Sequence, residues 1–518
     1  MAEISVYVAS HNFTVKNISP RSRLAIEQFA KKYIQWGYVK AGRQWVYSAM
    51  RVFAAATKER SEYRFHINTL EKFKDHILVH NLKDALVEWV DVPVPVGYSV
   101  ELPIFDKWEA REEQPKVIEY ILSDDKTRSK FVNLQTGKGK SFCAMSAASL
   151  MKSLTVLVCK PMYIEKWMID IKKTYDIDAE DIVTIQGGAQ LMALLERFSP
   201  KNRLVPPGEK WEPPFKFIIL SNKTYQLWIK LFEEHGAATL DMGYECLPEN
   251  FYEHVCAKFR VIDEVHQDFH LNYKIDLYTN VAKSLSLSAT LIADDPFLNL
   301  MYGVAYPKHL QYVSEGYDKY IATAAVFYNL ERPGMIRYQD PSSNRYSHNL
   351  YEQGILRNGR TKDNYFKLLR EILEFSYFKT HKPGYKLMIF VASINMATEL
   401  TNYLTIHYPK FSVTRYVEDD EYVNVMESDI RVSTLLSSGT AVDIPGLQTT
   451  LLTVAVSSSQ SNIQGLGRLR KMLDGTTPMF IWLSCADIPT HIKYHDKKKA
   501  MLEPLTLSYK NYELQTRV

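Results

Sequence analysis

"FVNLQTGKGKS", residues 131–141, reads as an apolar strand running into a turn of glycine and lysine. The following "SFCAMSAASLM" (141–151) has the apolar spacing and alanine content of a helix. Strand, loop and helix in that order are the setting in which backbone N–H groups and a helix N-terminus hold phosphates. The pattern G-x-x-x-x-G-K-[ST] would start at Leu134, so its first glycine is absent, and a lysine-rich surface turn also accounts for the stretch. On the phosphate reading, the backbone from Gly137 to Lys140 wraps the phosphates, because glycine lets the chain approach closely. Lys140 reaches the β and γ phosphates, and the Ser141 hydroxyl ligates Mg2+.

A second stretch decides between the two readings. In "FRVIDEVHQDFH" (259–270) a buried strand ends in adjacent carboxylates, Asp263 and Glu264, followed by His266. Asp263 is placed to hold the magnesium that Ser141 also touches, and Glu264 to orient and deprotonate an attacking water. Two acids at a strand end also serve as an ordinary helix cap. The ordered pairing of a Lys-Ser loop with an acid pair after an apolar strand favours the catalytic account.

The chain has 518 residues, which predicts more than one domain. Composition is that of a globular protein, with 46% hydrophobic and 24% charged residues and no apolar run of membrane-spanning length. The start "MAEISVYVASHNF" lacks the basic end and long apolar core of a signal peptide. The 5 cysteines (Cys143, Cys159, Cys246, Cys256, Cys485) are scattered without C-x-x-C spacing, against both a disulfide framework and a zinc site. A reducing, cytoplasmic setting is expected.

Charge is uneven. Net charge is +4, yet residues 1–60 hold ten Lys/Arg against three acids, a local +7. A basic end on a near-neutral chain predicts a polyanion there. "DVPVPVGYSVELP" (91–103), with three prolines and a glycine, reads as a domain edge. Beyond it, "KFVNL" (130–134), "TVLVC" (155–159), "KFIIL" (216–220), "FRVI" (259–262) and "SLSLS" (284–288) recur between helical patterns. "KLMIFVA" (386–392), "DIRVST" (429–434), "TTLLTVAV" (449–456) and "PMFIWLS" (478–484) form a second series. Such runs predict two α/β lobes, each a parallel sheet covered on both faces. "SPKNRLVPPGEKWEPP" (199–214) reads as a surface insertion.

"TGKGKS" with "DEVH" resembles the superfamily-two helicases of the DExH type, and the resemblance implies further motifs. "SAT" supplies Ser288, Ala289 and Thr290 after a strand, where the family couples hydrolysis to nucleic-acid movement; His266 shares that role. "AREEQ" supplies Arg111 and Gln114 at the spacing of the adenine-recognition motif. "GTAVDIPGL" (439–447) resembles the motif that touches nucleic acid through Thr440 and nucleotide through Asp443. "SNIQGLGRLRK" (461–471) supplies Gln464, Gly467 and Arg468, similar to the family's Q-x-x-G-R.

The resemblance covers residues 105–485. It implies two RecA-like lobes of a P-loop NTPase after a small α+β domain, divided as 1–100, 101–310 and 311–518. ATP and Mg2+ are the implied cofactors, with Thr136, Gly137, Lys138, Gly139, Lys140 and Ser141 as the cradle. Arg468 is the implied finger that stabilises charge on the transferring phosphoryl group. Where the family has a second arginine this chain has Lys471, with Arg470 one step early, and lysine lacks the planar fork. Ala441 stands where a glycine is usual.

"VCKPMYIEKW" (158–167) and "LSNKTYQLW" (220–228) follow strands where the family's first lobe touches nucleic-acid backbone. Lys160, Lys223 and Thr224 are the candidates, and a solvated loop explains each nearly as well. The basic run "THIKYHDKKKA" (490–500) reads as a solvated helix face. "KKYIQWGYVKAGRQWVY" (31–47) interleaves Lys31, Lys32, Lys40 and Arg43 with Tyr33, Trp36, Tyr38, Trp45 and Tyr47. Basic groups neutralise phosphates and rings stack on unpaired bases. Most of these rings are nevertheless expected in the core of the small domain, with the charge facing nucleic acid.

A small basic domain ahead of an uninterrupted motor resembles the UvsW recombination helicases of tailed phages. That likeness implies an ATP-dependent 3′ to 5′ DNA motor acting as a monomer on forks, R-loops or junctions, with no membrane partner. An RNA helicase or transcript-release motor is the alternative within the class. A nucleic-acid clamp with a dead ATPase would lack one of Lys140, Asp263, Glu264 and Arg468, and all are present.

Overall fold

The computed structural model describes residues 2–42, 44–82, 86–123, 128–135, 137–205, 210–289, 291–314, 316, 318–417, 427–435 and 444–518. The chain forms two compact units: Met1–Leu134, Lys138–Leu291 and Asp295–Ser314 make the first; Gln135–Gly137, Ile292–Asp294 and Glu315–Val518 make the second.

The first unit is built on a seven-stranded, wholly parallel sheet. Its spatial order is Ile182–Ile185, Phe217–Ser221, Thr155–Cys159, Phe259–Ile262, Lys283–Ser288, Ser129–Asn133, Gln311–Val313. The central strands Thr155–Cys159, Phe259–Ile262 and Lys283–Ser288 are buried along their whole length, as a sheet with helices on both faces requires. Because all strands run the same way, the stretches that follow 133, 262 and 288 emerge at one edge. That is where parallel sheets bind ligands.

Ahead of this sheet lies a mixed five-stranded one, in the order Ala55–Ala56, Tyr63–His66, Asn12–Lys16, Ile4–Val8, Val87–Asp91. Helices Arg23–Lys31 and Leu70–Val79 accompany it. Its core is aromatic: Phe29 lies 5.0 Å from Phe65, and Phe13 5.0 Å from Phe73, between ring centroids.

Polar groups bind this small sheet to the parallel one. The Asn12 side chain donates to the Thr279 carbonyl at 2.9 Å, and His11 Nε2 lies 2.6 Å from Ser284 Oγ. Beneath them Arg260, in the strand read as "FRVI", is fully buried and paired with Asp276 at 2.5 Å. Asp276 lies 3.9 Å from His66 of the small sheet.

The second unit carries another seven-stranded parallel sheet, ordered Val413–Tyr416, Ile430–Thr434, Lys386–Val391, Leu447–Leu452, Met479–Cys485, Ala322–Asn329, Ser508–Arg517. One of its apolar clusters includes Tyr365, Phe366, Leu369, Ile372 and Leu373 from the long helix Gly359–Ser376. Another gathers Phe390, Leu452, Leu466, Phe480 and Trp482. The two α/β lobes and the small α+β region expected from the sequence are therefore present.

One expectation is corrected here. The basic run at 490–500 forms helix Pro489–Leu502, but His491, His495 and Lys498 on it are buried. Burial pushes the Lys498 ammonium down to about 7. The five cysteines are free thiols, four of them buried. Among the described residues no helix is long and apolar enough to cross a membrane.

Candidate active site at the carboxyl edge of the first sheet

Strand Ser129–Asn133 feeds a loop in which Gly137 and Gly139 have φ of +89° and +82°, and helix Lys140–Leu150 starts at once behind it. A side chain at 139 would be strained by that φ and would overlap the Gln114 amide. Gln114 is buried and spent on backbone: its Nε2 donates to the Lys138 carbonyl at 2.9 Å, and its Oε1 accepts from the Arg111 N–H at 2.9 Å. It thus ties the loop to the "AREEQ" segment, while Arg111 itself is exposed. Lys140 Nζ lies 3.2 Å from the Leu134 carbonyl, folded across the mouth of its own loop. Ser141, the second residue of the helix, is at intermediate exposure.

Two strands away, Phe259–Ile262 delivers the acids. Asp263 accepts from the Trp167 indole N–H at 2.8 Å and from the Glu264 backbone N–H at 2.9 Å. Burial, then the neighbouring Glu264, raises its pKa, against the pull of Lys166, Trp167 and Lys140. A bound cation would reverse that balance. Glu264 sits at φ +47°, an uncommon conformation for a residue with a side chain, which turns it sharply away from the strand.

Its Oε2 lies 3.4 Å from His266 Nδ1, and the same nitrogen is 2.6 Å from Ser288 Oγ at the end of the intervening strand. Burial foremost, with Lys140 adding, lowers the His266 pKa to about 3, so the ring is neutral near pH 7. Lys140, Asp263, Glu264, His266 and Ser288 therefore belong to one edge of one sheet.

The residues fit a nucleotide and its metal. A glycine-lined turn before a helix leaves backbone free for phosphate, and Ser141 with Asp263 would hold Mg2+. Among the described residues no cluster of three or more His, Cys, Asp or Glu that could hold a metal ion is found.

In the second unit, Gln464 lies on helix Ser459–Leu466, directly after strand Leu447–Leu452. Gly465 is pressed onto the sheet: a Cβ there would come 3.3 Å from the Phe480 ring. Arg468, just past the helix, is buried. Arg470 folds back to donate to the Gly467 carbonyl, and Lys471 is exposed. Arg43, Thr136, Thr290, Thr440, Ala441 and Asp443 lie outside the described residues, as does the side chain of Lys40.

Three expectations about nucleic-acid contacts change. Thr224 is buried and its hydroxyl accepts the Gly187 N–H at 2.8 Å, so it packs the lobe rather than facing outward. Lys160 is engaged with Asp268 at 2.8 Å; Lys223 is exposed. Lys31 and Lys32 are exposed, Lys32 within 3.1 Å of His76. Most rings of 31–47 are not core: only Tyr33 is buried, whereas Trp36, Tyr38, Trp45 and Tyr47 are 47%, 67%, 61% and 60% exposed. Local alternation cannot reveal this, because among the described residues the hairpin joins no other sheet and its second strand is mostly exposed. Sequence reasoning also missed Trp167, a lone tryptophan on a helix whose role appears only when Asp263 is placed beside it.

No protein-family model matches the chain. Among curated proteins it is similar to the general transcription and DNA repair factor IIH helicase/translocase subunits XPB1 and XPB2 of Arabidopsis thaliana. Both are 20% identical to it, over 432 and 431 residues, covering 80% of this chain and 51% of each relative. The chain thus spans about half the length of the curated relatives it matches. Among solved structures it is similar in fold to Mss116p (NTE and C-tail double deletion) bound to ssRNA and AMP-PNP. That likeness has 16% identity and a TM-score of 0.51, over 78% of this chain and 75% of that one. Both parallel-sheet units are RecA-like lobes. These likenesses support the superfamily-two helicase resemblance that the motifs carry.

Proposed function

We propose that the chain is an ATP-hydrolysing superfamily-two helicase of the DExH type that moves along nucleic acid, and that its substrate is branched DNA, as for the UvsW helicases it resembles. The observation that carries the reading is the single sheet edge holding Lys140, the Asp263–Glu264 pair and the His266–Ser288 hydrogen bond of 2.6 Å. Phosphoryl transfer asks mainly for positioning and charge. Lys140 meets the β and γ phosphates, Ser141 and Asp263 hold Mg2+, and Glu264 orients the water.

Bound Mg2+ supplies neutralising charge at the phosphates. The resemblance gives Arg468 and Gln464, on the second lobe, roles in phosphoryl transfer, with Arg470 or Lys471 in the second-arginine role. Residues 1–100 engage the substrate, 101–310 bind ATP, and 311–518 form the partner lobe, in a motor that acts as a monomer in the cytoplasm. The +7 of residues 1–60 supports a polyanionic substrate at that end.

The test is steady-state ATP hydrolysis by the full chain alone and with single-stranded DNA, duplex DNA, a four-way junction and matched RNAs, beside Lys140→Ala. Stimulation greatest with the junction and lost in the variant is expected. Preference for RNA would move the substrate to transcripts, and no stimulation by any nucleic acid would refute a motor.

A further inference from the structure

Among the described residues, strands Ile34–Ala41 and Gln44–Val52 pair only with each other, as an antiparallel hairpin. An isolated hairpin is marginal in water, so its feet must hold it. Arg51 Nη1 donates to Gln35 Oε1 at 2.7 Å and to Asp295 Oδ2 at 3.1 Å, while Gln35 Nε2 donates to the same oxygen at 2.7 Å. The other oxygen of Asp295 caps helix Pro296–Ala305 by accepting from the Phe297 N–H at 2.9 Å. Beside it Phe53 packs on Tyr273, 5.0 Å between centroids. The base is thus fixed to the first lobe.

Above that base, Tyr38 pairs with Tyr47, Trp36 with Ala49 and Lys40 with Trp45. Residues directly opposite in an antiparallel pair share a face. Trp36, Tyr38, Trp45 and Tyr47 therefore lie on one face; Trp36 and Tyr47 are near parallel at 6.2 Å, and Tyr38 meets Tyr47 edge-on at 5.3 Å. A cluster of four rings this exposed marks a contact surface.

Its chemistry selects the occupant. Residues 31–52 contain Lys31, Lys32, Lys40, Arg43 and Arg51 and no acid, so a second copy would bring like charges together, whereas a polyanion is attracted. Flat rings beside positive charge suit bases with their faces free.

We infer that the Trp36, Tyr38, Trp45 and Tyr47 face of this hairpin is a stacking site for unpaired bases of a nucleic-acid strand, held on the first lobe through Asp295. The inference rests on the nucleic-acid reading above and adds a site outside the ATPase motifs.

The experiment is anisotropy of labelled oligothymidine and of a labelled duplex with the full chain, with Trp36→Ala/Trp45→Ala and with Trp36→Phe/Trp45→Phe. The alanine pair should weaken single-strand binding by about ten-fold or more per ring, and the phenylalanine pair should recover most of it. Duplex binding, carried by backbone charge, should change by less than about three-fold. Unchanged oligothymidine affinity, an equal loss on duplex, or no oligothymidine binding by the unaltered chain would overturn the site. So would sedimentation in which the unaltered chain self-associates and the alanine pair does not, which would make the face a contact between copies. Hydrolysis by the unaltered chain is measured in the same samples: if oligothymidine binding depends on the rings but no nucleic acid stimulates hydrolysis, the motor reading fails and the stacking site stands.

Discussion

His266 Nδ1 lies 2.6 Å from Ser288 Oγ and 3.4 Å from Glu264 Oε2, so one ring nitrogen stands between the acid turn and the end of the next strand. A neutral imidazole with its proton on Nδ1 donates well to one of those oxygens at a time. Ser288→Ala leaves Glu264 as the partner of that nitrogen. ATP hydrolysis should persist within several-fold while strand displacement falls by about ten-fold or more, the energy of one lost buried hydrogen bond. Parallel loss of both activities in paired ATPase and unwinding assays would remove the coupling role.

Lys140→Ala and Glu264→Gln each remove one group to which the proposed mechanism gives a role in hydrolysis. Both should lower turnover by at least about 100-fold and leave oligonucleotide binding nearly intact. Normal hydrolysis in either variant would dismiss the assignment.

Trp167 acts through Asp263. Trp167→Phe keeps the ring volume but removes the N–H that Asp263 accepts at 2.8 Å. Hydrolysis should drop by about ten-fold, with the Mg2+ concentration for half-maximal activity raised and the melting temperature shifted little. An unchanged Mg2+ requirement would show that the indole does not position the carboxylate.

Asp276→Ala strands the Arg260 guanidinium inside the protein without its carboxylate. Breaking a buried pair from one side costs about 3–5 kcal/mol. Thermal unfolding should report a large loss, and because Asp276 also faces His66, the small N-terminal sheet should become protease-sensitive along with the lobe. A melting curve like that of the unaltered chain would contradict the account.

Stability should fall on acidification. Burial lowers His66 to about 4 and His491 to about 3, and depresses His11 and His348 well below their ordinary value of 6.5. These groups take up protons near pH 6.5 only when unfolded, so the stability they confer above that pH is lost progressively as pH falls toward their folded values. Glu352 opposes them: burial raises it to about 7, so it favours the folded state as pH drops from there toward 4.5. His266, also lowered to about 3, joins the histidines, and Asp263, raised by burial, joins Glu352; five histidines against two carboxyls still give a net loss. Thermal midpoints at about pH 7.5 and about pH 5.5 check this, and a higher midpoint at the lower pH would reverse the sign.

Most inner strands were legible because burial on both faces writes continuous apolar runs; Thr155–Cys159 and Phe259–Ile262 match the sequence reading residue for residue, whereas the inner strand Ala322–Asn329 was not read. The edge strands Ile182–Ile185, Val413–Tyr416 and Ser508–Arg517 were not, and the last, "SYKNYELQTR", is mostly exposed and polar. An edge strand is defined by its neighbour's backbone, which leaves little trace in its side chains.

The loop at 137–141 and the acids at 263–264 could be read from the chain alone, since each is a local pattern of strand end, turn and charged group. Their assembly at one edge came from parallel strand order, which sets distant stretches side by side. Tertiary structure alone decided that Trp167 donates to Asp263, that Thr224 faces inward, that Arg260 is neutralised by Asp276, and that four rings of a basic hairpin stand in solvent. Those outcomes depend on what covers a surface, and covering is settled by residues far away in sequence.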